Sequence, residues 1–296
     1  MLILTLARAN DPANGSAVNC APWSVFENLR APLRKGSLQR RDAERRPPAD
    51  WKAPGSSSWL AYFDSNATAS DRIPWDDAHD VLTVDEQMCI ESSIAKFQLG
   101  ECSEGHSLLK FAAAFADELG EQRPVSVTRR FIKEEQKHAL MLKRFMQNHG
   151  MRTLQRNWTD TVFRRLRKYA GYEASITVLI TAELIALVYY RALQACTQSQ
   201  VLIAICRRIL EEEAAHTRYE SELLRFVRER RAGFLRHVPE ALHRILYAGT
   251  IVVVYVDHHR VLRQGGYRLF AFWSACWGCV RERIRQNRSK VANRMG

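Results

Sequence analysis

Leu210-Glu211-Glu212-Glu213-Ala214-Ala215-His216 decides the fold, and Lys133-Glu134-Glu135-Gln136-Lys137-His138, about eighty residues earlier, is its counterpart. Each holds Glu-x-x-His inside a run of helical period, and residues three apart project from one side of a helix. Each segment therefore offers one carboxylate and one imidazole to a single point. Phe131, Glu135, His138, Leu142 and Phe145 advance in alternating steps of four and three, and Leu202, Cys206, Ile209, Glu213, His216 and Leu223 keep the same phase. That is the spacing of side chains that face a bundle interior. Glu134, Glu211 and Glu212 fall out of phase and are expected to be exposed. Removing a carboxylate from water costs several kcal/mol unless its charge is compensated. A metal ion would compensate it.

Two more inward glutamates emerge on reading outward from these segments. Thr83-Val84-Asp85-Glu86 has the form of a capping box and starts a long helix that is expected to run to about Leu119. Ile90, Ile94, Phe97, Leu108, Phe111 and Phe115 share one face of it, together with Glu101 and Glu104. Gly120 to Pro124 then turns the chain into the Glu135/His138 helix, which ends near Asn148. A third long helix, Ala174 to about Ala195, sets Ile176, Ile180, Glu183, Leu187 and Tyr190 in one stripe. Thr197 to Gln200 turns it into the Glu213/His216 helix, which ends near Arg230. Thirty residues separate Glu183 from Glu213 and centre on Gln198, whereas thirty-one separate Glu104 from Glu135 and centre just ahead of Gly120. Residues equidistant from the turn of an antiparallel hairpin lie side by side, so the spacing favours Glu104. Glu101 would move the centre farther from the turn and stays as the alternative ligand.

The chain of 296 residues is 46% hydrophobic, enough to bury a substantial core. Glycine and proline are scarce between about residues 84 and 232, and few stretches alternate with period two, so the protein is expected to be nearly all helical. Residues 1–57 mix Asn, Pro, Ser, Gly and Arg and are expected to be largely disordered. Residues 58–83 form an anchor segment containing Trp59 to Phe63 and Ile73-Pro74-Trp75. The bundle occupies 84–232, with a short basic helix at Thr159 to Tyr169. Helices at Pro239 to Val261 and Tyr267 to Gln286 make up a C-terminal region over 233–287, followed by a basic tail at 288–296.

The net charge of +12 gathers in clusters that read as solvated helix faces and ends, and no motif for reading nucleic acid accompanies them. Seven isolated cysteines show no disulfide framework, the first residues lack a secretory pattern, and no apolar run free of charge is long enough to span a bilayer. A cytoplasmic protein without a transmembrane segment is expected. Cys276-Trp277-Gly278-Cys279 lies within an aromatic helix and reads as packing rather than as a redox pair.

The doubled motif and its spacing resemble, over about residues 84 to 230, the ferritin-like superfamily of non-haem di-iron carboxylate proteins. The resemblance implies an all-α, ferritin-like antiparallel four-helix bundle with additional C-terminal helices. It further implies a metal pair held by Glu104, Glu135, His138, Glu183, Glu213 and His216. Glu135 and Glu213 would bridge, Glu104 and Glu183 would bind one ion each, and the histidines would supply one nitrogen per ion. Two divalent irons balance four carboxylates, and a manganese/iron pair is the alternative occupant.

Members of this superfamily mostly use their metals to reduce dioxygen. The resemblance therefore implies an oxidase or oxygenase acting on a small-molecule or lipid-like substrate, with a reductase as electron donor and a homodimer as a compatible assembly. In scale the chain resembles the arylamine N-oxygenase branch, although Ile209 stands where that branch has a further histidine. The alternative is an iron-binding or storage protein with no organic substrate. Among the other polar residues, Glu220 reads as a bundle-end acceptor and Tyr190 as a hydrogen-bonded core aromatic. Asp257-His258-His259 reads as helix packing, or as a source of a carboxylate that orients a ligand histidine.

Overall fold

Thr83 accepts a hydrogen bond from the Glu86 backbone N–H, and the Glu86 carboxylate accepts one from the Thr83 backbone N–H at 3.1 Å. This capping box starts the bundle. The computed structural model describes residues 56–68, 73–77, 79–102, 105–158, 161, 171–230 and 237–295. Among them the helices are α1 (Ser56–Thr68), α2 (Val84–Glu101), α3 (His106–Leu119), α4 (Arg123–Asn148), α5 (Gly171–Ala195), α6 (Gln200–Glu229), α7 (His237–Gln264) and α8 (Leu269–Met295). The fold is all-α, a four-helix bundle with additional helices packed on it. The basic helix expected at residues 159–169 falls outside the described residues except for Thr161, and residues 1–55 lie outside them as well.

The bundle places α2 and α3, end to end, against α4. α4 packs on α6, α6 pairs most extensively with α5, and α5 closes the ring against α3. Both hairpin turns fall where the sequence puts them. Gly120 ends α3 in the left-handed region at φ 67°, and Pro124 sits in the first turn of α4. Ser199 caps α6 by accepting from Leu202 N–H, and the second oxygen of Glu86 accepts from Gln198 N–H at 2.6 Å, which fastens the start of α2 to the α5–α6 turn.

The first bundle rod is not one continuous helix, as the sequence suggested. It breaks between Glu101 and His106, where Gly105 adopts φ 65°. A Cβ on Gly105 would come within 2.4 Å of the Ile132 side chain, so this glycine lets the junction press on α4.

Two covers flank the bundle. α1 lies on α4 and seats Trp59 and Phe63 in a cluster with Val127, Phe131, Ile132, Ala215 and Tyr219. α7 lies across α5 and α2, and α8 packs on α5, α6 and α7. α5 has the length and apolar content to cross a membrane, but it is the central core helix, with most of its residues buried. Cys276 and Cys279 are free thiols on α8, and the Cys276 carbonyl accepts a hydrogen bond from Tyr247 at 2.8 Å, a packing role. Cys102, expected to be a free thiol, is disulfide-bonded.

Gly265 fixes the second cover. A Cβ there would sit 2.5 Å from the Ala192 carbonyl oxygen and 2.6 Å from its Cα, both backbone atoms of α5 that cannot yield. Gly265→Ala is therefore expected to destabilise the fold by about 1–3 kcal/mol, the usual scale of overpacking. Thermal unfolding of the variant beside Gly249→Ala checks this, since a Cβ at Gly249 meets nothing within 4 Å.

Candidate metal centre

Two groups of ligand atoms converge between α2, α4, α5 and α6. Glu101, Glu135, His138 and Glu213 form one, and Glu135, Glu183, Glu213 and His216 form the other, the atoms of each lying within 4.8 Å of one another. Glu135 and Glu213 belong to both, so the groups are joined through two shared carboxylates. Glu183, Glu213, His138 and His216 are buried, the two histidines completely. The two imidazole centroids stand 5.7 Å apart.

Of the residues singled out in the sequence, the structure brings Glu135, His138, Glu183, Glu213 and His216 together. Glu104 lies outside the described residues. The lone carboxylate from the first hairpin is Glu101, the last residue of α2, and the Tyr190 hydroxyl donates to it at 2.8 Å.

The polar atoms at the centre suit a pair of cations. Glu135 Oε1, both oxygens of Glu183, Glu213 Oε2 and Nδ1 of each histidine are buried and make no hydrogen bond. His216 Nδ1 lies 3.0 Å from Glu135 and 3.5 Å from Glu183, and His138 Nδ1 lies 3.4 Å from Glu213. These atoms are close without being mutually satisfied, an arrangement that is unfavourable in a dry core unless cations lie among them.

The outer nitrogens show what sequence phase missed. Glu134 and Glu212, expected on exposed faces, are buried at 5% and 1% exposure. His138 Nε2 meets Glu212 at 2.7 Å, and His216 Nε2 meets Glu134 at 2.8 Å. Each histidine of one helix is thus held by the glutamate preceding the shared carboxylate of the other. A carboxylate at Nε2 fixes the ring and makes Nδ1 a better donor to a metal.

Asn66 of α1 closes this outer layer. Its amide nitrogen donates to Glu134 at 2.5 Å and to Glu212 at 2.6 Å, and Arg208 donates to its oxygen at 2.6 Å. Arg208 and Lys137 also pair with Glu212. α1 is therefore part of the site, although the sequence suggested only an anchor. The sequence signal was present as Glu-Glu-x-x-His in both motifs, with the first Glu doubled in each. Glu211 is exposed, as expected. Asp257 pairs with Lys96, and His258 bonds Ser93, so neither orients a ligand histidine.

Protonation follows the geometry. Burial alone would push both imidazoles down, but hydrogen bonds from Glu212 and Glu213 hold His138 well above its ordinary range, and those from Glu134 and Glu135 do the same for His216. Burial, reinforced by repulsion from neighbouring glutamates, also pushes up the Glu101 and Glu183 carboxyls. Burial works against ionisation of Glu212 as well, yet the His138 contact and cationic neighbours bring it down to about 2.

Compared with models of known protein families, with characterised proteins and with solved structures, the chain shows no significant match.

Two expectations follow. The metal-free centre holds protons that metal must displace, so loading releases protons near neutral pH and affinity rises with pH. Because both imidazole values are raised, their stabilisation of the metal-free fold is complete below about pH 6.5 and is lost as pH rises through the raised folded values. Titration calorimetry in buffers of different ionisation enthalpy should show the release, and binding without it would contradict this protonation. Separately, Glu134→Ala and Glu212→Ala should each weaken metal binding by about 10–100-fold, the usual effect of removing such a partner. Competition with a chromophoric chelator measures it, with Glu211→Ala as the control expected to change nothing.

Proposed function

We propose that the protein is a non-haem di-iron oxidoreductase that uses dioxygen to oxidise a small organic molecule. The observation that supports this reading is a cavity of about 160 Å3 bordered by Glu101, Glu135, Glu183 and Glu213 on one side and by α7 on another. Neither histidine lines it. The centre is thus approached from its carboxylate side, while α1 and the Asn66 network cover the histidine side.

Most of the remaining lining is apolar: Phe97, Val178, Ile185 and Val254 among others. An apolar cavity of about this size accommodates a single-ring molecule. Iron storage would instead call for a polar route by which hydrated ions enter and leave, so the lining favours an organic substrate. Six hard and borderline donors with four carboxylates suit iron, with manganese/iron as the alternative pair.

The bound metals would supply the electrons that reduce dioxygen, and an external reductase would return them. The chain's own residues have separate tasks. Glu134 and Glu212 hold the two rings in place, Tyr190 positions Glu101, and Phe97 and the α7 valines exclude water from the approach. Insertion of one oxygen atom into a C–H or N–H bond consumes one dioxygen, two electrons and two protons, and yields the hydroxylated product and water. The resting protein holds no such electron source of its own, so a reductase partner belongs to the proposal.

Protein purified with ferrous iron under anaerobic conditions should carry about two irons per chain, and both should oxidise when oxygen is admitted. Glu135→Ala and Glu213→Ala should each lose more than half of that metal. Metal content by elemental analysis, together with the oxygen electrode, decides the matter. A chain that binds no metal, or whose metal is indifferent to both substitutions, contradicts the proposal.

A further inference from the structure

His258 interrupts α7, with φ −121° and ψ 18°, and lines the cavity beside Asp257 and Lys96. Ser93 Oγ lies 2.8 Å from His258 Nδ1 and 2.9 Å from the Tyr189 hydroxyl. Tyr189 is completely buried, and Ser93 Oγ is the acceptor within its reach, so the phenol donates to Ser93. The Ser93 proton then goes to Nδ1, which places the imidazole proton on Nε2. Burial pushes His258 down to about 3, so the ring is neutral at physiological pH and keeps that single N–H.

Beside this donor is an acceptor. Asp257 Oδ1 pairs with Lys96 at 3.0 Å, while Asp257 Oδ2 is buried and makes no hydrogen bond. Lys96 and Asp257 cancel in charge and His258 is neutral, so this end of the cavity carries no net charge. It lies apart from the metal ligands. Lys96 and Glu101 both line the cavity, and five residues of helix α2 set them about 7 Å apart along its axis.

We propose that this end of the cavity recognises an uncharged group that both accepts and donates hydrogen bonds, a primary carboxamide being the simplest, on a small and otherwise apolar molecule. His258 Nε2–H donates to its oxygen, and Asp257 Oδ2 accepts from its nitrogen. The inference rests on the functional reading above, because the apolar remainder of that molecule then lies toward Glu101 and Glu183. Charged heads are disfavoured, since either sign would enter the cavity without a counter-charge. His258 is a positioning residue here and touches no metal ligand.

The test uses the full chain, metal-free and metal-loaded, with benzamide, benzoate, benzylamine and toluene as probes in ligand-observed NMR titrations. Benzamide should bind saturably in both states, with benzoate and benzylamine each at least about tenfold weaker. His258→Phe should weaken benzamide by about tenfold and leave toluene unchanged, the effect of losing one buried hydrogen bond. Gly100→Leu gives a second readout. Gly100 lines the cavity and a Cβ there meets nothing within 4 Å, so the variant folds while its side chain obstructs all four probes. Benzamide that binds no better than toluene, benzoate that binds better than benzamide, or benzamide affinity unmoved by both substitutions would overturn the inference. Two metals per chain with no benzamide binding removes this inference alone. Benzamide binding without metal loading upholds the recognition site and removes the functional reading.

Discussion

Repulsion among buried carboxylates is the constraint on which the rest of this structure depends. Glu101, Glu135, Glu183 and Glu213 bring oxygens into two overlapping groups in the bundle interior, where the medium screens charge poorly. Hydrogen bonds do not relieve them, because several of the inner atoms have none. The arrangement is solved in layers. A pair of cations would balance the inner carboxylates. The histidines pass the charge outward to Glu134 and Glu212, and Asn66, Arg208 and Lys137 balance those two at the rim. Each layer is tolerable because the next one compensates it.

This layering makes the two sides of the centre unequal. α1 covers the α4/α6 side with hydrogen bonds and with Phe63, whose ring centroid lies 6.0 Å from that of His216. α7 covers the α2/α5 side mainly with valines and leaves a cavity between itself and the carboxylates. Rigidity therefore belongs to the histidine side and access to the carboxylate side. Carboxylates can change how they bind an ion as its other ligands change, whereas an imidazole held at Nε2 cannot. The covers thus match the properties of the ligands beneath them.

Much of this was legible in the sequence, and the misses have physical causes. Phase alone identified Glu135, His138, Glu183, Glu213 and His216, because a four-and-three pattern marks the inner face whatever lies outside it. The same criterion misplaced Glu134 and Glu212. A position about 100° off the inner stripe is exposed only if nothing covers that flank, and here α1 covers it. A helix of 13 residues with a weak apolar stripe gives little notice of where it will dock. The preference for Glu104 assumed one unbroken helix to Leu119. Once the rod breaks ahead of His106, distance from the turn no longer follows from counting residues, and Glu101 takes the position at the centre.

The same break sets the character of that ligand. Glu183 is fixed in the middle of α5, with complete helical turns on both sides. Glu101 is the last residue of α2, where carbonyls lack helical partners and the negative end of the helix dipole makes a further negative charge less welcome. A cation compensates Glu101 as it compensates Glu183, but the backbone constrains Glu101 less, and its orientation depends on the Tyr190 hydroxyl instead. Glu101 also adjoins Gly100, where the missing side chain leaves the cavity wall open. The more loosely held carboxylate is therefore the one nearest the opening. An incoming molecule meets first the half of the centre built from Glu101 and His138, and that half can rearrange its ligands with the least disturbance to the bundle.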